Sequence, residues 1–201
     1  MRKRAGMKKQ AKGSLFVLSG PSGAGKGSLR KKMFEKVPGI RFSISCTTRE
    51  AREGERDGVD YRFISTRQFL ELLDQGAFLE HAQVHGGYYG TLDEDVRKVL
   101  DSGEDILLEI DVQGALQVRE KMPESVLIFV SPPSFKELEQ RLRDRATESE
   151  ELLQVRLRNA QWEMERADCY DHVIINDDLE RAAGELEKII LEHRKNREAR
   201  I

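Results

Sequence analysis

Short apolar runs alternate with longer amphipathic stretches along most of the chain. The runs LFVLS, DILLEID, SVLIFVS and DHVIIN predict buried strands, and the stretches between them, with apolar residues three or four apart, predict helices. Apolar strands that alternate with helices are typical of a parallel sheet covered on both faces. The pattern therefore predicts an α/β fold in which a parallel sheet is the middle of three layers.

The stretch from residue 41 to residue 91 departs from this pattern. RFSIS alternates polar and apolar residues, as a half-buried strand does, and YRFIS, AFLEHAQV and GYYGT are further strand-like pieces. A helix is predicted at TRQFLELLDQG, and the charged, glycine-rich TTREAREGERDGVD predicts an exposed loop. We therefore expect a mixed α/β insert in the core.

Composition limits the partners that we expect. The chain has 201 residues, which fits one domain with a small insert, and its net charge is −2, without the positive excess of a general nucleic-acid binder. No apolar run approaches the roughly 20 residues of a membrane span. Residues 1–13 are basic and are expected to form a disordered leader. Cys46 and Cys169 match no metal or disulfide pattern, which favours the cytoplasm.

GPSGAGK fits the spacing GxxxxGK and lies between a predicted strand and a predicted helix. Glycines let successive N–H groups turn toward a phosphate, and the helix N-terminus adds further donors and a positive dipole end. A plain turn would explain the glycines, but not the lysine between strand and helix at this spacing. We therefore expect a loop that binds the phosphates of a nucleotide through Gly20, Pro21, Ser22, Gly23, Ala24, Gly25, Lys26, Gly27 and Ser28.

Gly27 stands where such loops usually carry Ser or Thr, whose hydroxyl helps to hold Mg²⁺. Without it, the metal must depend on nucleotide oxygens, water and nearby carboxylates, and Ser28 is free to contact a phosphate. The candidates are Glu109 and Asp111, at the end of a buried strand, where ligands bind in open α/β sheets. The alternative is that both acids are ordinary solvated charges.

Several motifs occur in one order: SGPSGAGK, SCTTREAREGERDGVDY, FLEHAQVHGGYYGT, LLEIDVQG, RLRDRATESEE and VIINDDL. Together they resemble guanylate kinase, the nucleoside-monophosphate kinase that phosphorylates GMP, over nearly all of residues 14–195. The departures are Gly27, Glu109 where some relatives carry Asp, Ala51 where Pro is common, and the basic leader. The resemblance implies a P-loop fold with a core of residues 14–40, 92–133 and 168–201, a GMP-binding insert of residues 41–91 and a helical lid of about residues 134–167.

The resemblance also implies a GMP site made of Ser45, Arg49, Arg52, Tyr61, Glu80, Tyr89, Thr91 and Asp111. Guanine presents two neighbouring donors, which the carboxylate of Glu80 can accept, whereas adenine would place an acceptor there. Arginine and tyrosine suit the GMP phosphate. The alternatives are a solvated loop for Arg49 and Arg52, and a packing role for Tyr89.

Arg141 and Arg145 lie four apart on a predicted helix, and Arg156 lies on the next. Spacing alone is more typical of a solvated basic face, but the resemblance implies a mobile lid. It further implies transfer of a phosphoryl group from ATP to GMP, with Mg²⁺ as cofactor. We also expect dGMP as an acceptor, because no residue identified in the sequence reads the 2′-hydroxyl. The implied catalytic residues are Lys26, Arg49, Arg141, Arg145 and Arg156, and Asn176 is expected to hold the ATP base.

Two alternatives remain at this point. One is another kinase of the same fold that acts on a different monophosphate, against which Glu80, Ser45 and Thr91 argue. The other is a non-catalytic scaffolding domain of the guanylate-kinase type, against which the intact loop around Lys26 argues. We expect a monomer or a small homo-oligomer, and neither nucleic acid nor membrane as a partner.

Overall fold

The computed structural model of the chain describes residues 12–84, 86–144 and 150–199, so Arg145 and most of the predicted leader lie outside the described residues. The strands are β1 (Leu15–Ser19), β2 (Ile40–Phe42), β3 (Cys46–Thr47), β4 (Arg62–Phe63), β5 (Phe78–Val84), β6 (Gly87–Leu92), β7 (Asp105–Glu109), β8 (Val126–Ser131) and β9 (His172–Ile175). The helices are α1 (Lys26–Lys36), α2 (Thr66–Asp74), α3 (Asp93–Asp101), α4 (Val112–Lys121), α5 (Phe135–Arg143), α6 (Glu150–Met164) and α7 (Leu179–Glu198).

The core is a parallel sheet of five strands in the order β2-β7-β1-β8-β9. Helices α1 and α7 cover one face, where Met33 and Leu186 pack with Phe16 of β1. Helices α3 and α4 cover the other face, where Val96 and Val118 belong to a second buried cluster. The structure therefore confirms the predicted three layers and the buried strands at LFVLS, DILLEID and SVLIFVS. The prediction of a buried strand at DHVIIN is wrong, because β9 is the edge strand, paired among the described residues only with β8, and exposes Val173 and Ile175.

The residues of the predicted insert form a second, mixed sheet in the order β4-β3-β6-β5. The expected strand at RFSIS differs, because β2 ends at Phe42 and belongs to the core sheet, where it pairs with β7. The chain then crosses to the second sheet at β3, so that no single strand runs through these five residues. The division of the chain into core, insert and lid stays a prediction, and β2 lies across its first boundary.

The carboxyl ends of the parallel strands meet at one edge of the core sheet. The glycine loop follows β1 at this edge, and Asp111 follows β7 as the N-cap of α4. Helices α5 and α6 pack against each other through a small apolar cluster that includes Leu138 and Leu157. No helix among the described residues has both the length and the apolar content to cross a membrane.

A buried ion cluster lies at the opposite edge of the core sheet. The side chain of Asp105, the first residue of β7, is 2% exposed and pairs with Arg194 at 2.7 Å and Arg197 at 2.5 Å. Its Oδ1 also accepts a hydrogen bond from the Ser14 N–H at 2.7 Å. Burial opposes ionisation of this carboxyl, but the hydrogen bonds from Ser14, Arg194 and Arg197 outweigh it and lower the pKa of Asp105. The cluster therefore fastens α7 to the sheet.

We expect Asp105→Ala to lower the free energy of unfolding by about 3 kcal/mol at pH 7, because it leaves two partly buried guanidinium groups without their carboxylate. Urea denaturation measures this loss. Because the folded pKa is lowered, the contribution is present above the pKa of the unfolded state and is lost as pH falls through the folded value. Glu104→Ala, which removes an exposed pair with Arg41 and an exposed hydrogen bond from Ser102, is the control and should cost distinctly less. Equal losses in the two variants would contradict a special role for the buried cluster.

Candidate active site

At Gly20 and Gly25, the loop after β1 has a backbone conformation that favours glycine. Gly20 and Gly25 have φ angles of 139° and 89°. A Cβ atom at Gly20 would lie 2.3 Å from the Val130 carbonyl oxygen, and one at Gly25 would lie 2.4 Å from Asn176 Nδ2. The glycines that the sequence places around Lys26 therefore allow the loop to lie tightly on β8 and on the end of β9.

Lys26, the first residue of α1, lies over this loop. Its Nζ donates hydrogen bonds to the carbonyl oxygens of Gly20 at 2.6 Å and Pro21 at 3.1 Å. The ammonium is thus held at the N-terminal end of α1, where the helix dipole also favours an anion. Ser28 is exposed one turn into the helix, and Gly27 adds no hydroxyl between them.

Asn176 fastens the loop from the end of β9. Its Nδ2 donates a hydrogen bond to the Ala24 carbonyl oxygen at 2.7 Å, and the residue is buried. The backbone carbonyl oxygen of Asn176 accepts a hydrogen bond from the Arg141 guanidinium of α5 at 3.3 Å. The amide nitrogen of Asn176 is therefore used within the protein, and contact with the ATP base stays a prediction.

Glu109 lies beside Gly27 and is paired with a cation that the sequence reasoning missed. Its Oε2 is 3.2 Å from Arg30 Nε, and a Cβ atom at Gly27 would lie 3.7 Å from its Oε1. Arg30 follows Lys26 by one helical turn, which is the signal that could have found it, and its guanidinium lies 4.0 Å above the ring centroid of Phe42. Among the described residues, no three His, Cys, Asp or Glu side chains come together as a metal site. Contact of Glu109 or Asp111 with Mg²⁺ stays a prediction.

Four residues that the sequence predicted for guanine come together where the two sheets meet. Glu80 of β5 is 3% exposed, and its Oε1 accepts a hydrogen bond from Thr91 Oγ1 at 2.5 Å. Ser45 Oγ lies 3.2 Å from the same Thr91 oxygen. Since the Thr91 hydroxyl donates its proton to Glu80, Ser45 donates to Thr91. Asp111 completes the group from the start of α4, where its Oδ1 accepts from the Gly114 N–H at 2.8 Å.

The position of Glu80 raises its pKa to about 7, chiefly because burial disfavours the charged form. The hydrogen bond from Thr91 lowers the value, and the negative charge of Asp111 raises it. Burial likewise raises the pKa of Asp111, against the Gly114 N–H and the charge of Lys26. Perturbed carboxyls of this kind cluster at functional sites.

The residues predicted for an acceptor phosphate form a second group. Arg49 lies 5.5 Å from the ring centroid of Tyr61, whose ring centroid is 6.0 Å from that of Tyr89. Glu55, which the sequence reasoning missed, accepts hydrogen bonds from both terminal nitrogens of Arg49 at 2.9 Å. The backbone N–H of Arg52 donates to the same carboxylate at 2.8 Å, whereas its side chain lies in the exposed loop. Glu55 thus orients the loop, and its place six residues after Arg49 in the same motif was the available signal.

Ser45 of the first group and Glu55 and Tyr61 of the second line a cavity between the core and the second sheet. Its volume is about 190 Å³. The core contributes one side and the second sheet the other, and the lining residues are Arg30, Phe42, Ser43, Ser45, Glu55, Asp60, Tyr61 and Glu109. Residues far apart in the sequence, from Arg30 to Glu109, therefore line the same space.

The predicted lid contributes Arg141, which reaches the carbonyl of Asn176 beside the loop. Arg156 is half-buried on α6, and Arg145 lies outside the described residues. The same helix carries Glu163, a further acid that the sequence reasoning missed. Burial raises the pKa of Glu163 to about 7, while the charge of Lys26 lowers it and that of Asp111 raises it.

A family model described as guanylate kinase matches residues 12–193. The chain belongs to the guanylate kinase family. It is 49% identical over 187 residues to a guanylate kinase of Oceanobacillus iheyensis, across 93% of this chain and 91% of the relative. A guanylate kinase of Fusobacterium nucleatum is 51% identical over 178 residues, across 89% of this chain and 96% of the relative.

A solved structure supports the same membership. The crystal structure of guanylate kinase from Anaplasma phagocytophilum superposes with a TM-score of 0.76 at 36% identity, covering 92% of this chain and 87% of that one. The resemblance drawn from the motifs is thereby confirmed, as is the P-loop type of α/β fold. The relatives that match most of the chain are guanylate kinases, so the chain is an enzyme of this family and the non-catalytic alternative loses its support.

We expect the Glu80 carboxyl to titrate near pH 7 in the free protein, as measured from its ¹³C chemical shift by NMR. Thr91→Val should raise this pKa further, because it removes a hydrogen bond that favours the carboxylate. Asp111→Asn should lower it, because it removes a neighbouring negative charge. Thr66→Val, at the exposed start of α2, should leave it unchanged. A Glu80 carboxyl that titrates near pH 4.5 would show that the residue is not held in a dry pocket.

Proposed function

We propose that the pocket around Glu80 binds the guanine of GMP or dGMP, and that Lys26 and its loop bind ATP. The activity is that of the family, the ATP-dependent phosphorylation of GMP to GDP. The observation that carries the assignment of the pocket is the buried carboxylate of Glu80, with Ser45, Thr91 and Asp111 around it, at the same edge as the phosphate loop.

The pocket suits guanine for a specific reason. Guanine N1–H and N2–H₂ are adjacent donors, and an ionised Glu80 accepts both with its two oxygens. Adenine would face the carboxylate with the lone pair of N1, so that two buried acceptors would meet without a proton between them. Such a mismatch costs several kcal/mol, or on the order of 10³-fold in selectivity.

The cationic side chains of the site then serve the reacting phosphates. Arg49 and Arg52, together with the hydroxyls of Tyr61 and Tyr89, bind the phosphate of GMP. Lys26 and the N–H groups of its loop bind the phosphates of ATP. Phosphoryl transfer spreads negative charge over the transferred group, so that positioning and fixed positive charge supply most of the catalysis without a protein nucleophile.

Mg²⁺, when bound with ATP, neutralises phosphate charge and orients the transferred group. Glu109 and Asp111 would hold it, chiefly through water, because both lie at the carboxyl ends of strands beside the loop. The Arg30 pairing of Glu109 leaves a carboxylate oxygen facing Gly27, which fits a supporting role.

The lid arginines would complete the site around ATP. When the lid closes, positive charge near the transferred phosphoryl group comes from Arg141, Arg145 and Arg156. Closure of the lid on ATP and of the second sheet on GMP would exclude water, which otherwise hydrolyses the phosphoanhydride.

The test of this function is the release of ADP from ATP and Mg²⁺ in the presence of GMP, dGMP, AMP, UMP or dTMP. We expect rapid release with GMP and dGMP only. Glu80→Gln should raise the KM for GMP by about 10²-fold or more, because its amide group would oppose the guanine donors. Equal turnover of another monophosphate would reject the guanine pocket, even though the chain would remain a kinase.

Lys26→Met should lower kcat by at least about 10³-fold while GMP still binds, because the charge of Lys26 matters most in the transition state. Steady-state kinetics and calorimetric titration with GMP measure the two effects separately. The matched control is Lys31→Met, the same change at an exposed position of α1, which should leave kcat unchanged. Near-normal turnover of Lys26→Met would remove the role assigned to this residue.

A further inference from the structure

Helix α4 presents a row of three positions to strand β5. Gln117 Oε1 accepts a hydrogen bond from the His81 N–H at 3.1 Å, and Gln117 Nε2 donates to the His81 carbonyl oxygen at 2.7 Å. One turn later, Lys121 Nζ donates to the Phe78 carbonyl oxygen at 3.0 Å. Helix α4 is therefore hydrogen-bonded to the backbone of β5 at Phe78 and at His81, on both sides of Glu80.

Gly114, one turn before Gln117, lies directly against the Glu80 side chain. A Cβ atom at this position would be 2.5 Å from Glu80 Oε2 and 3.4 Å from Asp111 Oδ1. Both acidic side chains thus lie against the Cα face of Gly114, and its N–H donates to Asp111. The Glu80 carboxylate therefore occupies the space that a side chain at position 114 would need.

The backbone does not explain this glycine. Gly114 lies inside α4 and is not among the glycines with positive φ, so an L residue could adopt its conformation. Alanine would favour the helix by about 1 kcal/mol relative to glycine. The glycine therefore weakens the helix locally, and the contact with Glu80 is the feature that requires it.

We propose that Gly114 is a specificity-determining residue of the guanine pocket and that Gln117 is its positioning residue. The absence of a side chain at 114 lets the Glu80 carboxylate lie beside Asp111. The two hydrogen bonds between Gln117 and the His81 backbone fix the position of β5 relative to α4. The inference rests on the proposed guanine-binding role of Glu80.

A side chain at position 114 would displace Glu80, and this should impair the recognition of guanine much more than the stability of the fold. A methyl group at 114 meets the far end of a side chain, which can turn away, and not a backbone atom. Folding is then little affected. Recognition is affected strongly, because a displacement of about 1 Å can cost on the order of 10²-fold when two hydrogen bonds must align.

The experiment compares Gly114→Ala with Gly184→Ala, the same change in α7, where a Cβ atom would meet nothing within 4 Å. Gly114→Ala should raise the KM for GMP at least about tenfold and reduce the preference for GMP over AMP, with the KM for ATP unchanged. Its melting temperature should stay the same or rise. Gly184→Ala should keep every kinetic constant of the parent.

Gln117→Ala provides an independent variant, which should raise the KM for GMP while the KM for ATP is unchanged. The inference is overturned if Gly114→Ala keeps the parental GMP constants, or if the constants for GMP and ATP change in parallel. Should Gly114→Ala not fold, an unchanged GMP KM in Gln117→Ala overturns it. Failure of the underlying function is distinct, because the unmodified protein would then fail to prefer GMP in the substrate comparison.

Discussion

The burial of one carboxylate, that of Glu80, is the constraint on which the rest of the site depends. A carboxylate removed from water is costly unless polar partners surround it, and Glu80 has Thr91 opposite it across the β5–β6 pair. The same burial makes its hydrogen bonds selective, since a ligand that offers no donors leaves the charge unsatisfied. Strand register, the gap at Gly114 and the N-cap Asp111 all serve to place this one group.

The second organising feature is the convergence of separate elements on the phosphate loop. Asn176 holds the loop from β9, Arg141 reaches Asn176 from α5, and Lys26 closes back on the first loop residues. These contacts connect the loop to the predicted lid and to the last core strand. A movement of α5 would therefore be transmitted to the loop, because Arg141 is hydrogen-bonded to Asn176 and Asn176 to Ala24.

Paired charges fix the orientation of two cationic side chains. Glu55 holds Arg49 by both terminal nitrogens, and Glu109 holds Arg30 beside Gly27. A guanidinium held in one orientation loses less entropy when an anion binds, at the cost of some of its positive field. The sequence reasoning found Arg49 and missed Glu55, because a loop rich in charge does not show which acid meets which base.

The amino-acid sequence by itself determined the α/β class, the strand–loop–helix around Lys26 and the family, since these depend on local periodicity and on contiguous motifs. It also named Ser45, Glu80, Thr91 and Asp111, which the structure brings together. Only the tertiary structure decided that β2 joins the core sheet, that Asn176 supports the loop through Ala24, and that Gly114 makes room for Glu80. The physical reason is that hydrogen bonds and steric gaps between residues distant in the chain depend on how two sheets and a helix pack. A local sequence pattern does not specify this packing.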